Sequence, residues 1–132
     1  MKPLLCLAIL AFASACAAKP LSERTPQAEA ALTRALEGRV AGAPQSCIAL
    51  SDMGATRIID RRTILFEGPG GVIWRNDVPQ GCAGLAPDRA IVTRTSTGML
   101  CSGDIVQIID RPSAVTLGSC GLGKFTPYRK QD

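Results

Sequence analysis

The stretch TRIIDRRTILFEGPGGVIWRND, residues 56–77, decides the fold class. It holds three short runs rich in β-branched and aromatic residues, near 56–60, 63–67 and 71–77. Such residues suit a pleated, half-buried surface. Between the runs stand Asp60-Arg61-Arg62, short enough for a tight hairpin, and Gly68-Pro69-Gly70-Gly71, which forces a reversal. Three strands joined by two turns within twenty-two residues is an antiparallel pattern. It sets Val72, Trp74 and Asn76 on one face of the third strand and Ile73 and Arg75 on the other.

The same rhythm runs outward. Further strands are expected near 47–50, 90–95, 99–101 continuing into 104–109, and 114–120 or beyond, with a turn at Thr95-Ser96-Thr97-Gly98. Pro79 to Asp88 follows neither period and reads as a loop, held by Cys82. Upstream, Thr25-Pro26 is a helix start, with Thr as cap and Pro in the first turn. Ala28, Ala31, Leu32, Ala35 and Leu36 form one narrow apolar stripe, and Gly38 is a natural stop. Because the stripe is mostly alanine, the helix is expected to pack loosely or serve as a stalk, with Gly42 to Ser46 a linker. The expected fold is mainly β: a small antiparallel sandwich or barrel of six to seven strands, preceded by one short N-terminal helix. The β domain spans 47–128, with 129–132 a tail. Ile58-Ile59-Asp60-Arg61 recurs as Ile108-Ile109-Asp110-Arg111, but the match does not continue. Each reads as a strand end entering an Asp-led turn.

In the first residues, MKPLLCLAILAFASACAAKP, one cation, Lys2, precedes an apolar run from Leu4 to about Ala13 and small residues follow, the layout of a secretory signal peptide. The run is shorter than the roughly 20 residues a spanning helix needs. Residues 1–15 are therefore expected to be an export tag. Ala13-Ser14-Ala15-Cys16 resembles a lipobox with Ala in the usual Leu place, which implies lipid attachment at Cys16 and an outer-membrane lipoprotein facing the periplasm. Residues 16–46 then become a lipid-anchored tether and short helix. Ordinary cleavage at Ala13-Ser14-Ala15 or Ala15-Cys16-Ala17, giving a soluble periplasmic protein, is the alternative.

Beyond that point remain Cys47, Cys82, Cys101 and Cys120, an even set that reads as two disulfides in an exported domain. Of three possible pairings, Cys82–Cys101 with Cys47–Cys120 is favoured. The first would pin the loop to its neighbouring hairpin, and the second would join the first and last strands.

Several chemistries are disfavoured. The chain has no histidine, which removes the usual general base and the commonest metal ligand. No metal site and no cofactor are expected. A formal net charge of +4, with the basic residues scattered, gives no nucleic-acid arm. Gly118 to Phe125, GSCGLGKF, nearly spells a phosphate loop, but Phe125 replaces the hydroxyl residue and Thr126-Pro127 disfavours the helix such a loop requires. No nucleotide is expected there; glycines in a final hairpin or bulge explain the stretch. Asp52, Asp60, Asp77, Asp104 and Asp110 sit at strand ends or turns, where Asp caps local backbone N–H groups, and no spacing singles out an acid–base pair. The candidate partner patch is Trp74 with Arg75, joined by Arg57 and Arg94 if their strands are neighbours. Strand alternation favours the other reading, with Trp74 in the core.

Cys47-Ile48, Thr56-Arg57-Ile58-Ile59-Asp60, Thr63-Ile64-Leu65-Phe66, Trp74-Arg75-Asn76, Cys82-Ala83-Gly84-Leu85, Cys101, Asp104-Ile105 and Cys120-Gly121-Leu122-Gly123-Lys124-Phe125 together make a pattern. It resembles an uncharacterised proteobacterial family of small exported proteins built on a four-cysteine domain of unknown function. Ala83 departs from the Pro usual in that family. The resemblance implies an exported, cysteine-stapled domain and transfers no activity. The expected role is non-catalytic: a membrane-tethered lipoprotein binding a protein or other envelope component. A periplasmic enzyme inhibitor, similar to lysozyme inhibitors in size and location, is the alternative; a small Asp-dependent hydrolase ranks last.

Overall fold

The computed structural model describes residues 23–131; the stretch expected to be an export tag and Cys16 lie outside the described residues. One helix, α1 (Pro26–Leu36), precedes ten strands: β1 (Arg39–Ala41), β2 (Cys47–Ala49), β3 (Thr56–Ile58), β4 (Thr63–Glu67), β5 (Ile73–Asp77), β6 (Arg89–Thr93), β7 (Met99–Cys101), β8 (Ile105–Asp110), β9 (Thr116–Gly121) and β10 (Phe125–Lys130). They form a five-stranded sheet in the order β1-β10-β5-β4-β3, a three-stranded sheet β6-β8-β9 and a β2-β7 ribbon. Among the described residues all pairings are antiparallel and no barrel closes.

The turns follow local chemistry. Asp60 closes the β3–β4 hairpin, its Oδ1 accepting from the backbone N–H groups of Arg62 (2.8 Å) and Thr63 (2.9 Å). Asp110 does the same after β8, its carboxylate accepting from the Ser113 N–H and hydroxyl. The repeated Ile-Ile-Asp-Arg is thus two strand ends with two Asp-led turns. Gly70 and Gly71 have φ of 70° and 76°, a left-handed geometry that glycine adopts without steric cost, and they turn β4 into β5.

The five-stranded sheet is buried on both faces. Ile58, Ile64, Phe66, Trp74 and Phe125 pack against Ile48 and Leu100 of the ribbon and Val106, Ile108 and Cys120 of the smaller sheet. This makes a sandwich. On the opposite face Leu65 and Ile73 meet Ala28, Leu32 and Ala35 of α1. The helix is therefore a third layer and not a loose stalk: alanines let it lie close to the sheet, and Leu32 fills the contact at 4% exposure. Truncating that side chain, Leu32→Ala, is expected to cost about 2–3 kcal/mol. A urea titration checks this, and an unchanged midpoint would restore the stalk.

Ten strands replace the six or seven expected, for identifiable reasons. The run near 99–109 breaks at Ser102-Gly103-Asp104, so β7 leaves β8 and pairs with β2 instead. The supposed tail belongs to β10, which continues to Lys130 opposite Arg39 of β1. The supposed linker lies along the same strand: Gly42 N–H donates to the Pro127 carbonyl (2.7 Å), and Gln45 exchanges two backbone hydrogen bonds with Phe125.

The cysteines form two disulfides, but not in the favoured pairing: the bonds are Cys47–Cys101 and Cys82–Cys120. Cys47 and Cys101 stand directly opposite each other in the β2–β7 register. Cys82 lies in the 79–88 loop and reaches Cys120 on β9. The favoured pairing assumed that β7 stayed with β8 and that Cys120 lay on the last strand, and neither holds.

Candidate functional site

A cleft of about 1020 Å³ opens between the first half of α1, the β3–β4 turn and the loop from Pro79 to Pro87. Ala31, Pro79, Ala83, Ala86 and Pro87 supply its open apolar surface over buried Ala28, Ile59 and Leu85, and Arg61 and Arg62 line it from the hairpin turn. The helix alanines open it, since a larger side chain at either position would fill the space.

Its walls are tied together. The Arg62 carbonyl accepts from Val78 N–H (2.6 Å) and the Arg61 carbonyl from Cys82 N–H (2.7 Å), fixing turn to loop. The Cys82–Cys120 bond anchors the loop to β9, and Leu85, 1% exposed, roots its far side in the core. Behind the turn runs a polar chain. Arg24 Nε donates to Asp60 Oδ2 (2.7 Å), and its terminal nitrogen donates to Thr63 Oγ1. Thr63 donates to Asp77 (2.6 Å), which also accepts from Arg75 Nε at 2.9 Å. Partial burial works against the Arg75 charge, but Asp77 and Tyr128 more than offset it and hold the guanidinium pKa above its usual range.

The candidate patch around Trp74 is not assembled, and the favoured reading of Trp74 as a core residue is the one observed. Trp74 faces the sandwich core at 6% exposure, opposite Phe66 on one side and Pro127 on the other. Arg129 lies over its ring at 5.7 Å. Arg57 and Arg75 flank Leu65 on the other face of the sheet, each with its own carboxylate, Glu67 (3.0 Å) and Asp77. Arg94 is exposed just beyond the end of β6, in the smaller sheet.

Gly118–Phe125 is strand, short turn and strand, without the helix a phosphate loop needs. The register shift between Ile108 and Ile109 sets Leu117 out of the ladder as a bulge. Phe125 is fully buried, its ring 5.9 Å from that of Phe66. The carboxylates likewise serve local structure, as Asp104 shows by accepting from Cys101 N–H at 2.7 Å. Among the described residues no three His, Cys, Asp or Glu side chains gather as a metal site.

Asp110 carries a measurable signature of such a turn. The Ser113 hydroxyl, then the Ser113 backbone N–H and Arg89, hold its carboxyl below the usual carboxylate range, against the opposing effect of desolvation. Its folded pKa lies below the unfolded value of about 3.9. The group therefore stabilises the fold at neutral pH, and that contribution is lost as pH falls through the folded pKa. Ser113→Ala is expected to raise the Asp110 midpoint in a carboxyl NMR titration; an unmoved midpoint would show that the hydroxyl is not the cause.

Sequence reasoning missed the cleft. Two signals pointed to it: the adjacent arginines in a two-strand turn, and the long aperiodic loop holding a cysteine, since long loops on rigid scaffolds often carry function. Their proximity to α1 was not legible. No family model, curated protein or solved structure matches the chain.

Proposed function

We propose that the chain is an exported, non-catalytic binding module whose ligand site is the cleft beside α1. The carrying observation is a preformed apolar cleft whose walls are covalently and hydrogen-bond tied, bordered by a carboxylate, Asp60, already engaged by Arg24 and two backbone N–H groups. An apolar pocket with a few polar groups at its edge is the usual form of a ligand site. Two disulfides point to an oxidising, non-cytoplasmic compartment. Among the described residues no helix is long and apolar enough to cross a membrane. Anchoring by a lipid on Cys16, an outer-membrane address and membership of the four-cysteine exported family complete the proposal, on the strength of the sequence pattern.

Two measurements test it. Intact mass of the mature protein should show added acyl mass on an N-terminal Cys16. A cleft-filling variant, Ala31→Trp, should lose an envelope component that the wild type retains on an affinity column. Equal retention by both would remove the cleft from the function. If the retained component is a hydrolase slowed stoichiometrically, the module is an inhibitor.

A further inference from the structure

We infer that the cleft takes an anionic amphiphile: an acyl chain against Ala31, Ala83, Ala86 and Pro87, with its carboxylate or phosphate held by Arg61 and Arg62. This rests on the cleft being the binding site and specifies its ligand class. Charge is the first ground. Of the three arginines that line the cleft, Arg24 is paired with Asp60 and Glu29, whereas Arg61 and Arg62 have no carboxylate partner among the described residues. The one carboxylate of their own turn, Asp60, is engaged by Arg24 and by the backbone N–H groups of Arg62 and Thr63. Two guanidinium groups beside an apolar surface complement an anionic head on an apolar tail, because guanidinium matches carboxylate and phosphate geometry in bidentate fashion. The first turn of α1, at Thr25 and Gln27, borders the same opening and adds the positive end of the helix dipole. Two carboxylates oppose this, Glu23 and Asp60, and Asp60 is offset by its ion pair with Arg24.

The second ground separates an acyl chain from a peptide. A peptide laid in a groove needs backbone partners, and the turn carbonyls here are already taken by Val78 and Cys82 N–H groups. An acyl chain needs none. Position is the third ground. Cys16 and Glu23 are seven residues apart, a reach of at most about 25 Å. With a lipid on Cys16, the opening lies within that distance of the bilayer surface.

The test uses the full chain exported through its own leader with Cys16→Ser, which leaves ordinary cleavage at Ala13-Ser14-Ala15 and releases it without acyl chains. The probes are cis-parinaric acid, a fluorescent fatty acid, and its uncharged methyl ester. Saturable one-to-one binding of the acid is expected. Arg61→Ala with Arg62→Ala should weaken the acid about tenfold, the loss of about one charged hydrogen bond, and leave the ester unchanged. Ala31→Trp should abolish binding of both, with Ala86→Trp as a second filler should the first not fold. Inorganic phosphate alone should not displace the probe. Displacement by phosphatidylglycerol vesicles, and not by phosphatidylcholine vesicles, assigns a membrane lipid; displacement by free palmitate only assigns a soluble fatty acid. Absence of saturable acid binding, or equal affinity in the double arginine variant, overturns the inference. If Ala31→Trp still loses an envelope component while neither probe binds, the cleft remains the site and only the ligand class falls. An acidic peptide displacing that component would then name the alternative.

Discussion

Reduction of both disulfides is expected to unfold the domain at room temperature in little or no urea. The bonds close chain separations of 54 and 38 residues. By the loop-closure argument each withholds about 3–4 kcal/mol of freedom from the unfolded chain. Domains of this kind have only about 5–15 kcal/mol in total, so losing both removes most of the margin. The helix layer supplies a second core, so loss of one bond should be survivable. Replacing Cys82 and Cys120 together by Ala should lower Tm by about 10–20 °C while leaving a cooperative transition. Replacing Cys47 and Cys101 should cost a similar amount but act elsewhere, since that pair clasps the β2–β7 ribbon. Only the first change frees a wall of the cleft, so only it should also abolish ligand binding in the still-folded protein. Calorimetry with and without reductant, beside peptide mapping of the oxidised chain, checks both parts. An unchanged melting curve in strong reductant, with the thiols shown to be free, would end the covalent account of stability.

The second large effect is centred on Asn76 and Gly123. Asn76 is fully buried; its amide donates to the Gly123 carbonyl (2.8 Å) and its carbonyl accepts from Gly123 N–H (2.9 Å). This pair holds the turn through which the chain leaves β9 for β10, crossing from the smaller sheet to the larger. Asn76→Ala strands two buried peptide groups, at about 1–3 kcal/mol each, so a loss of about 2–5 kcal/mol is expected. Gly123→Ala should be comparably damaging for a different reason, because a Cβ there would run into the Asp77 carbonyl oxygen. Moving the turn to relieve that clash breaks the same two hydrogen bonds. The double variant should therefore lose clearly less than the sum of the single losses. Urea titrations of all three give the answer: strict additivity would show that the two positions do not share one interaction. Part of the apparent phosphate-loop spelling is thus explained, since Gly123 is required by a close backbone approach.

Much of the local structure was legible. Thr25-Pro26 and Gly38 bracket α1 because a cap hydroxyl, a fixed proline φ and a left-handed stop act within a few residues. The β3–β4–β5 meander was legible for the same kind of reason, with Asp60 and Gly70-Gly71 supplying the turn geometry. Alternation along β5 correctly set Trp74 and Asn76 apart from Ile73 and Arg75. It could not say that α1 would cover the second face, because a stripe of alanines carries little hydrophobic signal. Arg39-Val40-Ala41 was equally silent: three residues have no readable period, and they form a strand only because β10 lies beside them.

From the amino-acid order alone followed the β character, the helix α1, the positions of the principal turns and a set of four cysteines suited to pairing. These rest on interactions between residues a few places apart. The folded arrangement alone decided that Cys47 meets Cys101, that Cys82 meets Cys120, and that residues near 28, 61 and 85 enclose one cleft. Those contacts depend on which strands become neighbours, and that is settled by burying the faces of separate sheets against each other, not by any preference written within a segment.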